Sequence, residues 1–131
     1  MVVDTSALIA ILLGEPETEF FVQVLADDPK KMISAFNALE SAIVIEAKKG
    51  EAGGRELDLL MHRARIEIIP LNGDQVELAL TAWRKYGKGN HPAGLNIGDC
   101  CAYALAKHSG EPLLFKGKDF SRTDIRPVIG Q

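Results

Sequence analysis

The sequence has few cysteines and no long hydrophobic segment, and each shortage excludes a class of protein. The two cysteines, Cys100 and Cys101, are adjacent and cannot readily bridge each other. A disulfide-stapled fold is therefore excluded, and we expect a protein of a reducing compartment. The apolar stretch Ala7–Leu13 is too short to cross a bilayer, and no basic segment typical of a signal peptide precedes it. We therefore expect a cytoplasmic protein that does not insert into membranes.

An excess of positive charge is also missing. The net charge is −3, with 15 Lys and Arg residues against 18 Asp and Glu residues. A protein that binds nucleic acid over its whole surface is excluded, so any such site must be a local patch. With 47% hydrophobic residues and no internal repeat or linker, the chain is typical of one globular domain covering residues 1–131.

Short apolar strands alternate with helices along the chain. The predicted strands are Met1–Asp4, Met32–Ala35, 66–71 and 112–115, and the predicted helices are Ser6–Leu13, Thr18–Ala26, Ala38–Lys49, Arg55–Arg65, Gln75–Tyr86 and Ile97–His108. This alternation is typical of an α/β fold. We predict a three-layer sandwich, in which helices flank a mostly parallel sheet on both sides.

Three acidic residues stand at predicted helix starts. Asp4 lies where the first strand ends and a helix begins, which is the position of an N-cap. Glu40 follows Asn37 by three residues, close to a capping-box pattern, and Asp99 follows Asn96 by three residues in the first turn of its helix. Taken singly, each acid is best interpreted as a cap.

The predicted topology changes this interpretation. In a parallel sheet the carboxyl ends of strands and the amino ends of the following helices lie on one edge, where such sheets bind ligands. Asp4, Glu40, Asp99 and Asp119 should therefore converge there, although capping does not explain why all four are acids. Clustered carboxylates raise one another's pKa unless a cation intervenes. Mg²⁺ or Mn²⁺ is the expected cation, because the scattered histidines and adjacent cysteines do not make a zinc site.

A carboxylate-held Mg²⁺ indicates phosphoryl chemistry. An aspartyl-phosphate phosphatase would need a second Asp where this chain has Ser6, and a receiver domain would need an acid pair where Val3 and Thr5 flank Asp4. A glycine-rich phosphate-binding loop is absent. Hydrolysis of a phosphodiester by metal-activated water therefore fits the residues best.

Four stretches carry a family resemblance. "VVDTSAL", "SAFNALESAIV", "LNIGDCCAYALA" and "LLFKGKDF" resemble the motifs of PIN-domain ribonucleases, in particular the VapC toxins of bacterial toxin–antitoxin pairs. The resemblance spans nearly the whole chain. It implies an RNA endonuclease whose Asp4, Glu40, Asp99 and Asp119 bind Mg²⁺ or Mn²⁺. It also implies a homodimer held by a cognate antitoxin in a groove beside the site.

The fourth acid is the point at which this chain departs from its relatives. Similar proteins often carry another acid just before the Asp-Phe pair, and here that residue is Lys118. Asp119 and Asp124 both follow the last predicted strand. We favour Asp119, because it lies nearer the strand end and precedes Phe120, whose ring can anchor the loop in the core.

Several neighbouring side chains allow two interpretations. Thr5 and Ser6 could contact a metal-bound water or the scissile phosphate, or they could cap the first helix. Lys116, Lys118 and Arg122 could hold the RNA backbone or offset the acids. The segment "WRKYGKGNH" could form a single-stranded RNA surface, or it could be a helix end with Trp83 in the core.

Hydrophobic residues of the first two helices predict an interaction surface. The expected surface is made of Ile9, Leu12, Leu13, Phe20, Phe21 and Val24. We expect a Leu- and Arg-rich antitoxin segment to dock there and to direct a cation toward the acids. The sequence thus predicts a Mg²⁺-dependent endoribonuclease toxin. The alternative is a catalytically silent PIN-like module whose acids cap helices or receive the arginines of a partner.

Overall fold

Four short strands form one parallel sheet in the computed structural model, which describes residues 1–131. The strands are β1 (Val2–Val3), β2 (Lys31–Ser34), β3 (Ile66–Ile69) and β4 (Leu113–Leu114). Their order is β3-β2-β1-β4, and every neighbouring pair is parallel. β1 therefore lies between β2 and β4, and its carboxyl end is flanked by theirs.

Five helices cover the two faces of the sheet. They are α1 (Thr5–Leu12), α2 (Thr18–Asp27), α3 (Ala35–Ala64), α4 (Gly73–Tyr86) and α5 (Ile97–Ser109), and a 3-10 helix follows at Asp119–Arg122. α1, α2 and α3 enclose one core and α4 and α5 the other. The predicted three-layer α/β sandwich is thereby confirmed. None of the helices combines the length and the apolar character needed to cross a membrane.

Alternation along the strands supplies both cores. Val3, Ile33 and Leu114 pack among α1, α2 and α3. The residues just before them, Val2, Met32 and Leu113, pack against α5 and the C-terminal segment. Successive strand side chains point to opposite faces. A fully apolar strand is therefore what a sheet covered on both sides requires.

The third helix is interrupted where the sequence predicts. Ala38–Lys49 and Arg55–Arg65 were expected as separate helices, and Gly50, whose φ is 69° and ψ −165°, leaves the helical conformation directly after Lys49, so α3 consists of two helical segments joined at a kink. The helix begins earlier than expected. Ser34 is its N-cap and accepts a hydrogen bond from the Phe36 amide at 3.3 Å. The capping-box interpretation of Asn37 and Glu40 is therefore wrong, because the chain turns into the helix directly after β2.

The predicted apolar surface on α1 and α2 is also wrong in part. Ile9 and Phe21 are buried, at 9% and 2% exposure, because both pack in the core between α1, α2 and the sheet. Several large apolar side chains of α3, α4 and α5 are exposed outside the predicted surface. They include Leu39, Ile43, Val76, Trp83 and Ile97. Trp83 is 47% exposed, so the alternative that placed it in the core is wrong.

Candidate active site

Four acids occupy the edge of the sheet at which the central strands end. Asp4 directly follows β1, Glu40 lies in the second turn of α3, and Asp99 lies in the first turn of α5. Asp119 begins the 3-10 helix that follows β4. We call these four residues the acidic rim. Asp4 and Asp99 each interact electrostatically with Glu40, and Asp99 also interacts with Asp119, so the fold brings the four charges into one neighbourhood.

Asp4 is the most buried member of the acidic rim, with 3% exposure. Its Oδ2 accepts hydrogen bonds from the Ser6 amide at 3.1 Å and from the Ser6 hydroxyl at 2.6 Å. This is the predicted N-cap of α1. The Ser6 hydroxyl also accepts a hydrogen bond from the Lys116 amide at 2.9 Å, which ties Asp4 to the segment after β4.

Glu40 is held by two side chains. Thr5 Oγ1 donates to Glu40 Oε1 at 2.6 Å, and Asn37 Nδ2 donates to the same oxygen at 3.3 Å. The carboxylate lies against the backbone of Gly98, where a Cβ atom would stand 2.5 Å from Oε2. Gly98 and Asn37 carry no site role in the sequence-based predictions. The available signals were a glycine inside a helix beside Asp99 and an amide one helical turn before Glu40.

Asp99 both caps its helix and belongs to the acidic rim. Asn96 Oδ1 accepts from the Asp99 amide at 2.8 Å, and Asp99 Oδ2 accepts from the Asn96 amide at 3.0 Å. The predicted capping arrangement is therefore confirmed as a full capping box. This bond fixes the carboxylate at the amino end of α5, beside the carboxyl end of the sheet.

The two candidates for the fourth acid differ in their surroundings. Asp119 is exposed and precedes Phe120, which is buried and packs against Phe115 with ring centroids 5.1 Å apart. Asp124 instead accepts a hydrogen bond from Tyr103 Oη at 2.6 Å and pairs with Lys107 Nζ at 2.9 Å. The charge of Asp119 acts on Asp99, whereas the charge of Asp124 is compensated by Lys107 away from the acidic rim.

Burial and mutual repulsion disfavour the charged forms of two rim acids. Burial raises the pKa of Asp4 to about 7, and the charges of Asp99 and Glu40 add to this rise against the opposing Ser6 hydrogen bonds. Burial also raises the pKa of Asp99 to about 6, with Asp119 and Glu40 adding to it. In the metal-free protein the carboxyl groups of Asp4 and Asp99 therefore titrate near neutral pH.

The acidic rim fits a hard divalent cation in its chemistry. None of the salt bridges in the structure involves Asp4, Glu40, Asp99 or Asp119, so no protein cation compensates the buried carboxylates. All the donors are carboxylate oxygens, which suit Mg²⁺ or Mn²⁺. No three Asp, Glu, His or Cys side chains stand close enough to share an ion in their present orientations. Each rim acid is held by its own protein partner or lies exposed, so binding an ion requires side-chain adjustment.

The other predicted site residues are placed differently from one another. Thr5 and Ser6 direct their hydroxyl groups at Glu40 and Asp4. The Lys116 ammonium group pairs with Glu15 and Glu17, which draws it toward α2 rather than the rim. Arg122 is exposed and takes part in no salt bridge. Lys118 is likewise exposed and in no salt bridge, so Arg122 and Lys118 are the predicted cations that are free to meet an anion.

Comparisons with known proteins identify the family of the chain. The family model described as PIN domain matches residues 1–126. Ribonuclease VapC of Mycolicibacterium smegmatis is 56% identical over 98% of this chain and 99% of that protein. The crystal structure of Mycobacterium tuberculosis VapC20, a toxin that cleaves the sarcin–ricin loop, has a TM-score of 0.78 at 17% identity and covers 97% of both chains.

A toxin–antitoxin complex from Klebsiella pneumoniae gives a TM-score of 0.69 at 21% identity, covering 94% of this chain and 92% of that one. At these identities the two solved structures speak for the fold alone. The family model and the identity to the mycobacterial relative decide the family. The chain belongs to the PIN-domain family and, within it, to the VapC ribonucleases, as its four acidic motifs predict.

Proposed function

We propose that this chain is a divalent-metal-dependent endoribonuclease that acts in the cytoplasm as the toxin of a type II toxin–antitoxin pair. The observation that carries the proposal is the pair formed by the buried Asp4 and the half-buried Asp99, whose pKa values rise to about 7 and about 6 and which form no salt bridge with a protein cation. Strongly perturbed carboxyl groups gathered at a ligand-binding edge are typical of a functional site. Membership of the VapC ribonucleases supports RNA as the substrate.

The residues of the chain divide the work of phosphodiester hydrolysis. Asp4, Glu40, Asp99 and Asp119 would hold Mg²⁺ or Mn²⁺, which when bound supplies positive charge for the phosphate and acidity for an attacking water. Ser6 and Thr5 orient Asp4 and Glu40 through their hydroxyl groups. Arg122, exposed on the 3-10 helix that begins with Asp119, would meet the RNA backbone.

RNA cleavage by the antitoxin-free protein tests this proposal. The purified protein is expected to cut single-stranded or loop RNA with Mg²⁺ or Mn²⁺ and to stop when EDTA removes the metal. Cleavage that persists in EDTA would contradict the metal mechanism. RNA binding or antitoxin binding without any cleavage would favour the catalytically silent module instead.

An antitoxin is the proposed protein partner. A groove of about 710 Å³ lies between α2 and the C-terminal segment, with Phe20, Phe120 and Ile125 among its lining residues. Lys116 lies in the same groove, beside the segment that Ser6 ties to Asp4. An apolar antitoxin segment could fill this groove, and an arginine from it would meet the uncompensated rim. A structure of the complex with the antitoxin on the opposite edge of the sheet would contradict this placement.

A homodimer is the proposed assembly. A second groove, of about 450 Å³, is lined mainly by apolar residues of α4 and the start of α5, including Val76, Leu80, Trp83 and Ile97. These four side chains are 44% to 68% exposed, which is unusual for apolar residues unless a partner covers them. Sedimentation equilibrium should give a dimer for the wild type and a monomer for Leu80→Glu. A monomeric wild type at micromolar concentration would contradict the assembly.

A further inference from the structure

Asn37 is a fully buried amide that joins the starts of three helices. Its Nδ2 lies 3.0 Å from the Gly98 carbonyl oxygen in α5 and 3.3 Å from both Thr5 Oγ1 in α1 and Glu40 Oε1 in α3. The Gly98 carbonyl can only accept a hydrogen bond, so the atom that faces it must be the amide nitrogen. One hydrogen of the amide is therefore directed at the Gly98 carbonyl, which leaves the other for Thr5 Oγ1 and Glu40 Oε1.

Stability alone does not account for an amide at this position. Asn37 is 0% exposed, and its Oδ1 is buried without a hydrogen-bond partner. An unpaired buried carbonyl destabilises the fold, and an apolar side chain of similar size would avoid that cost. Since Ser34 caps α3, Asn37 is not needed to start the helix either. What remains specific to Asn37 is the donation to Glu40, Thr5 and Gly98.

The backbone of Gly98 lies directly against the same carboxylate. A Cβ atom at this position would stand 2.5 Å from Glu40 Oε2 and 2.6 Å from Glu40 Oε1. Gly98 lies inside α5, where glycine is less favourable than alanine by its helix propensity. No left-handed backbone conformation requires it, because its φ is that of an ordinary helical residue. The close approach of Glu40 therefore explains the glycine.

We propose that Asn37 and Gly98 are positioning residues that fix the orientation of Glu40 in the acidic rim. Asn37 and Thr5 hold Oε1 by hydrogen bonds, and Gly98 leaves the room that the carboxylate occupies. The purpose of this orientation rests on the proposed function. In a metal site, the partners that orient the acidic ligands control the metal affinity and the reaction rate. The contacts themselves are made by the metal-free chain.

Deleting each buried amide in turn separates positioning from stability. Gln75 is the matched control, because it is also 0% exposed, donates to the Pro70 carbonyl at 3.1 Å, and has an unpartnered buried Oε1. Asn37→Ala should lower kcat and Mn²⁺ affinity by about 10- to 100-fold, with KM changed by less than about threefold. Gln75→Ala should change kcat by less than about twofold, although both variants lose stability.

A second variant, Gly98→Ala, is expected to move the Glu40 carboxylate without removing a hydrogen-bond donor. Gly98→Ala places a methyl group on the Glu40 oxygens, so kcat and Mn²⁺ affinity should fall by about tenfold or more. Its melting temperature should not fall in proportion, since alanine favours the helix. Gly73→Ala in α4 is the control, because a Cβ there meets no atom within 4 Å, and it should leave both quantities unchanged.

Two further measurements keep this inference apart from the proposed function. Metal-free crystal structures of Asn37→Ala and Gly98→Ala should show the Glu40 carboxylate displaced, which requires neither metal nor RNA. In a Glu40→Gln background, Asn37→Ala should lower kcat by less than about twofold, because its effect acts through Glu40. A wild type that does not cut RNA contradicts the proposed function, whereas an undisplaced carboxylate or wild-type Mn²⁺ affinity in both variants overturns the positioning role.

Discussion

Two aspartates beside α5, Asp99 and Asp124, have pKa values shifted in opposite directions. At the start of α5, Asp99 lies with Asp4 and Glu40 where no lysine or arginine forms a salt bridge, and burial raises the pKa of Asp99 to about 6. Toward its end, Tyr103 and Lys107 hold Asp124, and these contacts keep the pKa of that carboxyl group below its usual range. The charged form of the carboxyl group is thus disfavoured at Asp99 and stabilised at Asp124.

This difference separates a structural acid from a functional one. An acid that only stabilises the fold is given a cation or a donor, as Asp124 is by Lys107 and Tyr103. Acids kept together without a cation destabilise the metal-free fold, and such groups cluster at functional sites. We therefore propose the acidic rim as a binding site for positive charge, either a divalent ion or an arginine of the antitoxin.

The largest effect is expected for Asp99→Asn. The substitution removes one charge from the rim while keeping the shape and the capping ability of the side chain. RNA cleavage at saturating Mg²⁺ should fall by about 100-fold or more, since loss of a direct metal ligand exceeds the loss of an outer partner. Circular dichroism should show an unchanged fold. Normal cleavage by this variant would leave Asp99 with a capping role alone.

The next comparison sets Asp119 against Asp124. Asp119→Asn removes a charge that acts on Asp99 and should lower cleavage and Mn²⁺ affinity by about tenfold or more. Asp124→Asn weakens an exposed pair with Lys107, worth about 0–1 kcal/mol, and should leave cleavage within about twofold. Both variants should melt at similar temperatures. The reverse ranking, at equal metal concentration, would move the site to Asp124.

The metal-free protein should become less stable as the pH rises, because the pKa of Asp4 is raised in the folded state. The pKa of Asp4 is raised from 3.8 to about 7, so between these values the folded protein binds more protons than the unfolded chain. Stability therefore falls as pH rises through this window. The melting temperature in EDTA should be lower at about pH 8 than at about pH 5 by about 5 °C or more. Asp4→Asn should reduce this fall, and an equal fall in that variant would assign it to other groups.

The smallest effect is expected among the cations. Lys116 pairs with Glu15 and Glu17, so Lys116→Ala should change kcat/KM for RNA by less than about twofold. Arg122 forms no salt bridge, and Arg122→Ala should raise KM by about fivefold through loss of a phosphate contact. Raising the salt concentration should narrow the gap between the two variants. A larger effect at Lys116 would place the RNA on the α2 side.

Alternation of apolar strands and helices was enough to predict the fold. The strand starting at Val2 and the helix starting near Asp99 were found because burial on both faces and helix capping leave strong local patterns. The start of α3 was misplaced because its N-cap, Ser34, is also the last residue of β2. Asn37 and Glu40 form a capping-box pattern in the sequence, and this pattern indicated a later start. The fold-level prediction depended on none of these boundaries.

Side-chain partners were the part that the sequence could not supply. Convergence of four acids follows from parallel topology, but the salt bridges of Lys116 and the exposure of Trp83 depend on long-range packing. Gly98 shows the limit most clearly, since its role depends on a carboxylate 58 positions earlier in the chain. Contacts of this kind leave no local pattern in the sequence.

Proton release on metal binding tests the acidic rim most directly. Because the pKa of Asp4 is about 7 in the metal-free protein, about half of the molecules carry this proton at neutral pH, and a divalent ion that binds the carboxylate displaces it. Calorimetric titration with Mn²⁺ at about pH 7, repeated in two buffers of different ionisation enthalpy, measures this proton directly. We predict that Mn²⁺ binds with a net release of protons, and that Asp4→Asn loses both the affinity and the release. Absence of Mn²⁺ binding, or binding that releases no proton and is unchanged in Asp4→Asn, would contradict a metal site at the acidic rim.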